Sequence, residues 1–287
     1  MGFAESLGAS KAVNDSGRGP GQAPRLAARL SPMHLALHPL AFILLVVAGG
    51  IAGFVDSIAG GGGIITLPAL LAAGLPPHLA LGTNKLQATF GSLTASLRYR
   101  AAGIVRFRDI LPGIAATAVG AGLGALAVST VDAGILRILI PLLLLAILIF
   151  LALRPRFGLQ KEERRVGWLP FWIIAGLTLG FYDGFFGPGT GTFWAMALVG
   201  LAGLDMQGAT AHTKVANFTS NLLSLAVFAI AGTVAITIGL AMGAAEAAGA
   251  WAGSRMVLKR GAAFVRMVIL AVTGAMIVYI VVRYWRH

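Results

Sequence analysis

Two carboxylates, two glycine runs and two lysines recur in one order along this chain. Asp56 precedes Gly60-Gly61-Gly62-Gly63 and then Thr83-Asn84-Lys85. Asp183 precedes Gly187-Pro188-Gly189-Thr190-Gly191 and then His212-Thr213-Lys214, with Asn217 beyond. Gly53, Phe54 and Asp56 map onto Gly180, Phe181 and Asp183 at a shift of 127, and Lys85, Gly103 and Val105 map onto Lys214, Gly232 and Val234 at a shift of 129. These residue types suit the handling of an anion. A glycine run disfavours helix by about 1 kcal/mol per residue relative to Ala. It therefore breaks an apolar segment and leaves the N–H groups and positive dipole end of the next helix free, which is an anion site. The alternative role for the glycines is a turn that lets helices pack closely.

Lys85 and Lys214, together with Thr83, Asn84, His212, Thr213 and Asn217, make a cationic, hydrogen-bonding surface suited to an oxyanion. The competing reading is a lysine that snorkels to the lipid headgroups. Asp56 and Asp183 either cap the short helices after the glycine breaks or carry a proton. Glu246, inside GAAEAAG with no acidic counterpart in the first half, is a third proton-carrying candidate or the counter-ion of a lysine.

The elements that must hold these residues are apolar. Of 287 residues, 57% are hydrophobic and only 11% charged, against about 25% charged in a soluble domain. Mean hydropathy is +0.86. Ten apolar segments are expected, at 38–55, 62–75, 79–97, 109–128, 134–153, 168–185, 190–203, 211–231, 233–252 and 263–282. The second and seventh are short and follow the glycine runs, so each is either a short tilted span or the returning arm of a re-entrant hairpin. Residues 1–37 read as a disordered polar tail, and the first apolar run as a retained span rather than a cleaved signal peptide.

Basic residues cluster at 98–108, 154–165 and 255–260, always after an odd-numbered segment. All three clusters therefore lie on one side, the cytoplasmic one by the positive-inside rule, with both termini opposite. Each half then crosses an odd number of times, so the copies are inverted. The expected fold is an all-α polytopic membrane protein with repeat 1 at 38–153, a basic linker at 154–167 and repeat 2 at 168–287. Inverted repeats with broken segments at matching positions point to a secondary transporter with its site at the repeat interface. Gly120, Gly122 and Gly124, and the GxxxG pair Gly249 and Gly253, read as helix-packing positions.

Other functions are excluded on composition. The net charge of +12 sits in short loops, which fits membrane topology rather than nucleic acid. There is no cysteine and no HExxH, so no thiol chemistry, metal site or catalytic residue is read, and no cofactor is called for. Neither glycine run matches a nucleotide-binding loop.

GFVDSIAGGGGIITLP, GTNK at 82–85, GFYDGFFGPGTGTF and HTKVANFTSN resemble the conserved stretches of the TauE/SafE sulfite exporter family. That resemblance implies a prokaryotic inner-membrane permease, embedded in the lipid bilayer, for sulfite, sulfoacetate or another sulfonate. Pro68 has no proline partner near Ala195, which leaves room for a differently shaped second break. A passive anion channel and a carrier of non-sulfur carboxylates stay open as alternatives, as does oligomeric state.

Overall fold

The computed structural model describes residues 38–153 and 163–284; the tail and most of the linker lie outside the described residues. All the described regular structure is helical. The helices are α1 (Pro39–Ala59), α2 (Gly62–Ala72), α3 (Pro77–Ala101), α4 (Leu111–Ser129), preceded by a 3-10 turn (Phe107–Ile110), and α5 (Ala133–Leu153). The second half supplies α6 (Trp168–Phe185), α7 (Thr190–Gly200), α8 (Met206–Ile230) and α9 (Ile236–Tyr284). Gly261, at φ 69° and ψ −164°, interrupts α9, so the expected ninth and tenth segments are its two arms.

Local chemistry sets the boundaries. Pro39 and Pro77 stand in the first turns of α1 and α3, where a missing N–H costs nothing. Asp205 caps α8 by accepting from the Gly208 N–H at 2.7 Å. Pro39–Ala59 and Phe107–Ser129 are each long and apolar enough to cross a membrane. The burial pattern is that of a protein in lipid. Leu40, Ile43, Leu44, Val47 and Ile51 are all more than half exposed on α1, while Lys85, Gln87, Thr213 and Lys214 are buried. In water that arrangement would be inside out.

Both short segments are hairpin arms. Each has 11 residues and rises about 16 Å, half of the ~30 Å hydrocarbon thickness. Gly62 folds back against Asp56 and Ala52, so α2 returns along α1. At the far end of α7, the Leu201 carbonyl accepts from the Arg165 N–H at 3.0 Å, so the α6–α7 hairpin ends at the face it left. Despite the proline difference, both arms have the same length and both start from a left-handed glycine, Gly61 at φ 92° and Gly189 at φ 83°.

Described residues of the basic stretches meet on one face. Trp251 lies between the guanidinium groups of Arg98 and Arg255, at 5.1 and 5.3 Å. The indole of Trp168 donates to the Asp109 carbonyl at 3.0 Å. Beneath them a buried cluster joins Tyr99, Ile110, Trp172, Trp194, Val257 and Phe264. The opposite face gathers the start of α3 and the end of α4, where His78 bonds the Val128 carbonyl at 3.2 Å.

The halves interlock. The long arm of α9 packs along α1 and α3 of the first half, and α4 of the first half packs along α6 and α8 of the second. Small residues permit this close approach. Gly49 and Gly53 of α1 face the backbone of Met242 and Glu246, Gly249 faces Gly50, and Gly120 and Gly124 face Leu177 and Phe181. Gly122 has nothing within 4 Å and takes no part in packing, because two residues along a helix turn it about 200° away. A Cβ at Gly124 would fall on the Phe181 carbonyl oxygen. Gly124→Val therefore destabilises by about 1–3 kcal/mol, read as a lower unfolding temperature in detergent, while Gly122→Val leaves it unchanged.

Candidate functional site

The crossing of the two hairpins brings the repeated motifs together. Gly60 and Gly191 touch: a Cβ on Gly60 would lie 2.6 Å from the Gly191 carbonyl carbon and 2.7 Å from the Thr192 nitrogen. Gly60 also has φ 77°, a conformation open to glycine at little cost. Gly63 lies against Pro188. The two breaks therefore face one another at the junction of the halves.

Around them stand two reciprocal ion pairs. Lys85 of α3 donates to the Asp183 carboxylate of α6 at 2.7 Å. Lys214 of α8 donates to the Asp56 carboxylate of α1 at 2.8 Å. Each lysine thus pairs with the aspartate of the other copy. Both lysines are almost wholly buried, at 1% and 0% exposure. Neither snorkels, and each buried charge has an opposite charge at hydrogen-bond distance, as burial demands.

The pairs are not equivalent. Lys85 also donates to the Asp183 backbone carbonyl at 2.5 Å and to Asn221 Oδ1 at 3.3 Å, so its three N–H groups are all engaged. Lys214 makes one bond among the described residues and keeps two N–H groups uncommitted. Asp56 accepts the Gly62 N–H at 3.2 Å, which caps α2 across the break. Asp183 instead accepts from the Ser220 hydroxyl. Asn84 accepts from Thr66 at 2.6 Å and from Gln87 at 2.9 Å.

A cavity of about 30 Å³ lies inside this frame, lined by Asp56, Gly61, Gly62, Gly63, Asn84 and Lys85 from the first half. The second half adds Asp183, Gly187, Gly189, Thr190, Asn217 and Glu246. That volume holds about two waters. Glu246 Oε2 and Asn217 Oδ1 are buried here without a hydrogen-bond partner. Glu246 breaks the two-fold likeness, since the matching position in α4 is Thr117. Lys85 and three carboxylates therefore line one small polar space, and Lys214 stands behind it, bonded to the lining carboxylate of Asp56.

Three expected residues lie elsewhere. Thr83 accepts the Ala235 N–H at 2.9 Å, at the start of α9. Thr213 is buried with its hydroxyl unpartnered, away from the cavity lining. His212 bonds the Gly208 carbonyl at 2.7 Å and packs against Trp168 and Trp172. Helix geometry separates them from the lysines: Thr83 and His212 precede Lys85 and Lys214 by two residues, about 200° around the helix. The same geometry puts Lys214, Asn217 and Asn221 on one stripe. That spacing is the signal for Asn221, which motif reading alone left out.

Comparison with known proteins points to a membrane transporter. The family model for the sulfite exporter TauE/SafE matches residues 45–280. The chain is 46% identical over 242 residues to "Probable membrane transporter protein ORF9" of Sinorhizobium sp, covering 84% of this chain and 92% of that protein. It is 44% identical over 240 residues to "Probable membrane transporter protein YfcA" of Escherichia coli (strain K12), covering 84% and 89% respectively. A "Probable membrane transporter protein" of Haemophilus influenzae is 41% identical over 244 residues, covering 85% and 95%. No solved structure matches the chain.

Proposed function

The chain belongs to the TauE/SafE sulfite exporter family, and from that premise we propose that this membrane transporter carries a small sulfur-containing anion, sulfite or an organosulfonate, across the inner membrane by alternating access. The observation that carries the reading is the pair of reciprocal Lys–Asp bridges at the meeting point of two glycine breaks. Substrate oxygens bind the side chains of Asn84 and Asn217 and the backbone at Gly61–Gly63 and Gly187–Thr190, which line the cavity, and reach the uncommitted N–H groups of Lys214, one hydrogen bond behind Asp56, as that bridge opens.

Each bridge joins the two interlocked bundles, α1–α3 with the long arm of α9, and α6–α8 with α4. These bundles, rather than the sequence halves, are the bodies that move. Motion of one against the other breaks and remakes the bridges as access changes. Asp56 and Asp183 are held by lysines, which leaves Glu246 as the carboxylate free to take a proton when an anion enters. No catalytic step is involved. The small central cavity favours a carrier over a standing channel.

Counterflow tests the proposal. Proteoliposomes loaded with unlabelled sulfite take up labelled sulfite transiently above equilibrium, and the rate saturates. Flux that rises linearly with concentration and shows no counterflow marks a channel and overturns the carrier reading.

A further inference from the structure

A second cavity, of about 490 Å³, opens on the basic face. Its walls are Gly103, Ile104 and Arg106 after α3, Asp109 in the 3-10 turn, Arg164 and Trp168 at the start of α6, and His212 of α8. Nothing in the transport cycle above uses it. We propose that this cavity is a separate loading site for a small oxyanion, which gathers the substrate at the basic face before it reaches the bridged centre. The proposal rests on the transport reading for its purpose and not for its chemistry.

Three observations carry it. First, the histidine is built in. His212 is 9% exposed, and its ring stands edge-on to Trp168 at 5.8 Å and tilted against Trp172 at 6.1 Å. A carbonyl oxygen only accepts, so the 2.7 Å contact with Gly208 places a proton on Nδ1. Nε2 is then the ring's remaining polar atom, without a hydrogen-bond partner among the described residues. It accepts from an anion's hydroxyl or, once protonated, donates to an anion's oxygen.

Second, the arginines are available. Arg164 lies over the Trp168 ring at 5.3 Å, a cation–π contact that takes up no carboxylate. Neither Arg164 nor Arg106 pairs with a carboxylate among the described residues. Asp109 is the one acid in the cavity wall, against two arginines and a histidine. The balance favours a single small anion.

Third, the fold does not produce this cavity by itself. At the repeat shift of 129, His212 corresponds to Thr83, Gly103 to Gly232, Arg106 to Ala235 and Asp109 to Ile238. At that matching place Thr83 is bonded to the Ala235 N–H, and none of the four is charged. A cationic mouth is thus present on one face and replaced by a closed backbone contact at its counterpart. His212 and Lys214 lie two residues apart on α8, so the mouth and the central site share one helix.

The test uses the full-length protein in detergent with sulfite and inorganic phosphate as probes, and the Trp168→Phe protein to isolate that tryptophan's emission. Sulfite and phosphate quench the Trp168 component, and quenching persists in Lys214→Gln, whose central site is impaired. In Arg106→Ala/Arg164→Ala the quenching midpoint rises at least about tenfold, and KM for sulfite offered at the basic face rises with kcat unchanged. His212→Gln, which removes the ionisable ring, also weakens quenching. Unchanged quenching in the double-arginine variant overturns the site. So does a response to anionic phosphatidylglycerol alone, which would mark a lipid headgroup instead. If transport of sulfur anions fails while quenching persists, the transport reading falls and the anion site stands.

Discussion

Lys85→Met lowers the stability of the folded protein by about 3–5 kcal/mol, because it leaves the Asp183 carboxylate buried without its cation. Asp183→Asn in the same chain recovers most of that loss. The bond from Ser220 makes the lower end of the range the better estimate for the single variant, since Asp183 keeps one donor. A double-mutant cycle isolates the pair from the other contacts of each residue. The measurement is reversible unfolding in mixed micelles for the parent, both singles and the double. A double variant no more stable than Lys85→Met would show that the two charges do not depend on each other. Transport stays absent in the double variant whatever its stability, since a bridge that must break and remake cannot be replaced by a permanent apolar contact.

Much of this arrangement was legible in the chain. Repetition of Asp56, the glycines and Lys85 at 127–129 residues pointed to two related sites that meet, and the apolar runs between them pointed to an all-helical membrane protein. The repetition also led to the expectation that both lysines lie near one cavity, with the aspartates beside the glycine breaks. That each lysine pairs with the aspartate of the other copy was not legible, because motif spacing does not show which side chains touch. The exchange of α4 and the long arm of α9 between the halves was not legible either. Both expose small-residue faces that fit any partner helix equally well, and only the three-dimensional assembly chooses between them. Thr83 and His212 stood beside the lysines in sequence and went to other places in space. There, adjacency in a motif outweighed the helical angle, although the angle was already available to read.

Hydrogen-bond engagement predicts different roles for the two lysines. Lys214→Gln weakens sulfite affinity by at least about 100-fold, whereas Lys85→Gln acts chiefly on stability. Lys85 has each of its N–H groups engaged by Asp183 and Asn221, and a substrate must displace one of them to bind there. Lys214 has one bond, to the cavity-lining Asp56, and two N–H groups left over that a substrate reaches when that bridge opens. A hydrogen bond to a charged group contributes about 1.5–3 kcal/mol, so losing two of them is enough for the expected change, at about 1.4 kcal/mol per factor of ten. Asp56 keeps its role in capping α2 through the Gly62 N–H, which limits the structural damage in Lys214→Gln. The readout is the sulfite KM in counterflow, normalised to folded protein. Equal KM shifts in the two lysine variants would mean that the site is symmetric in use, and an unchanged KM in Lys214→Gln would remove Lys214 from substrate binding.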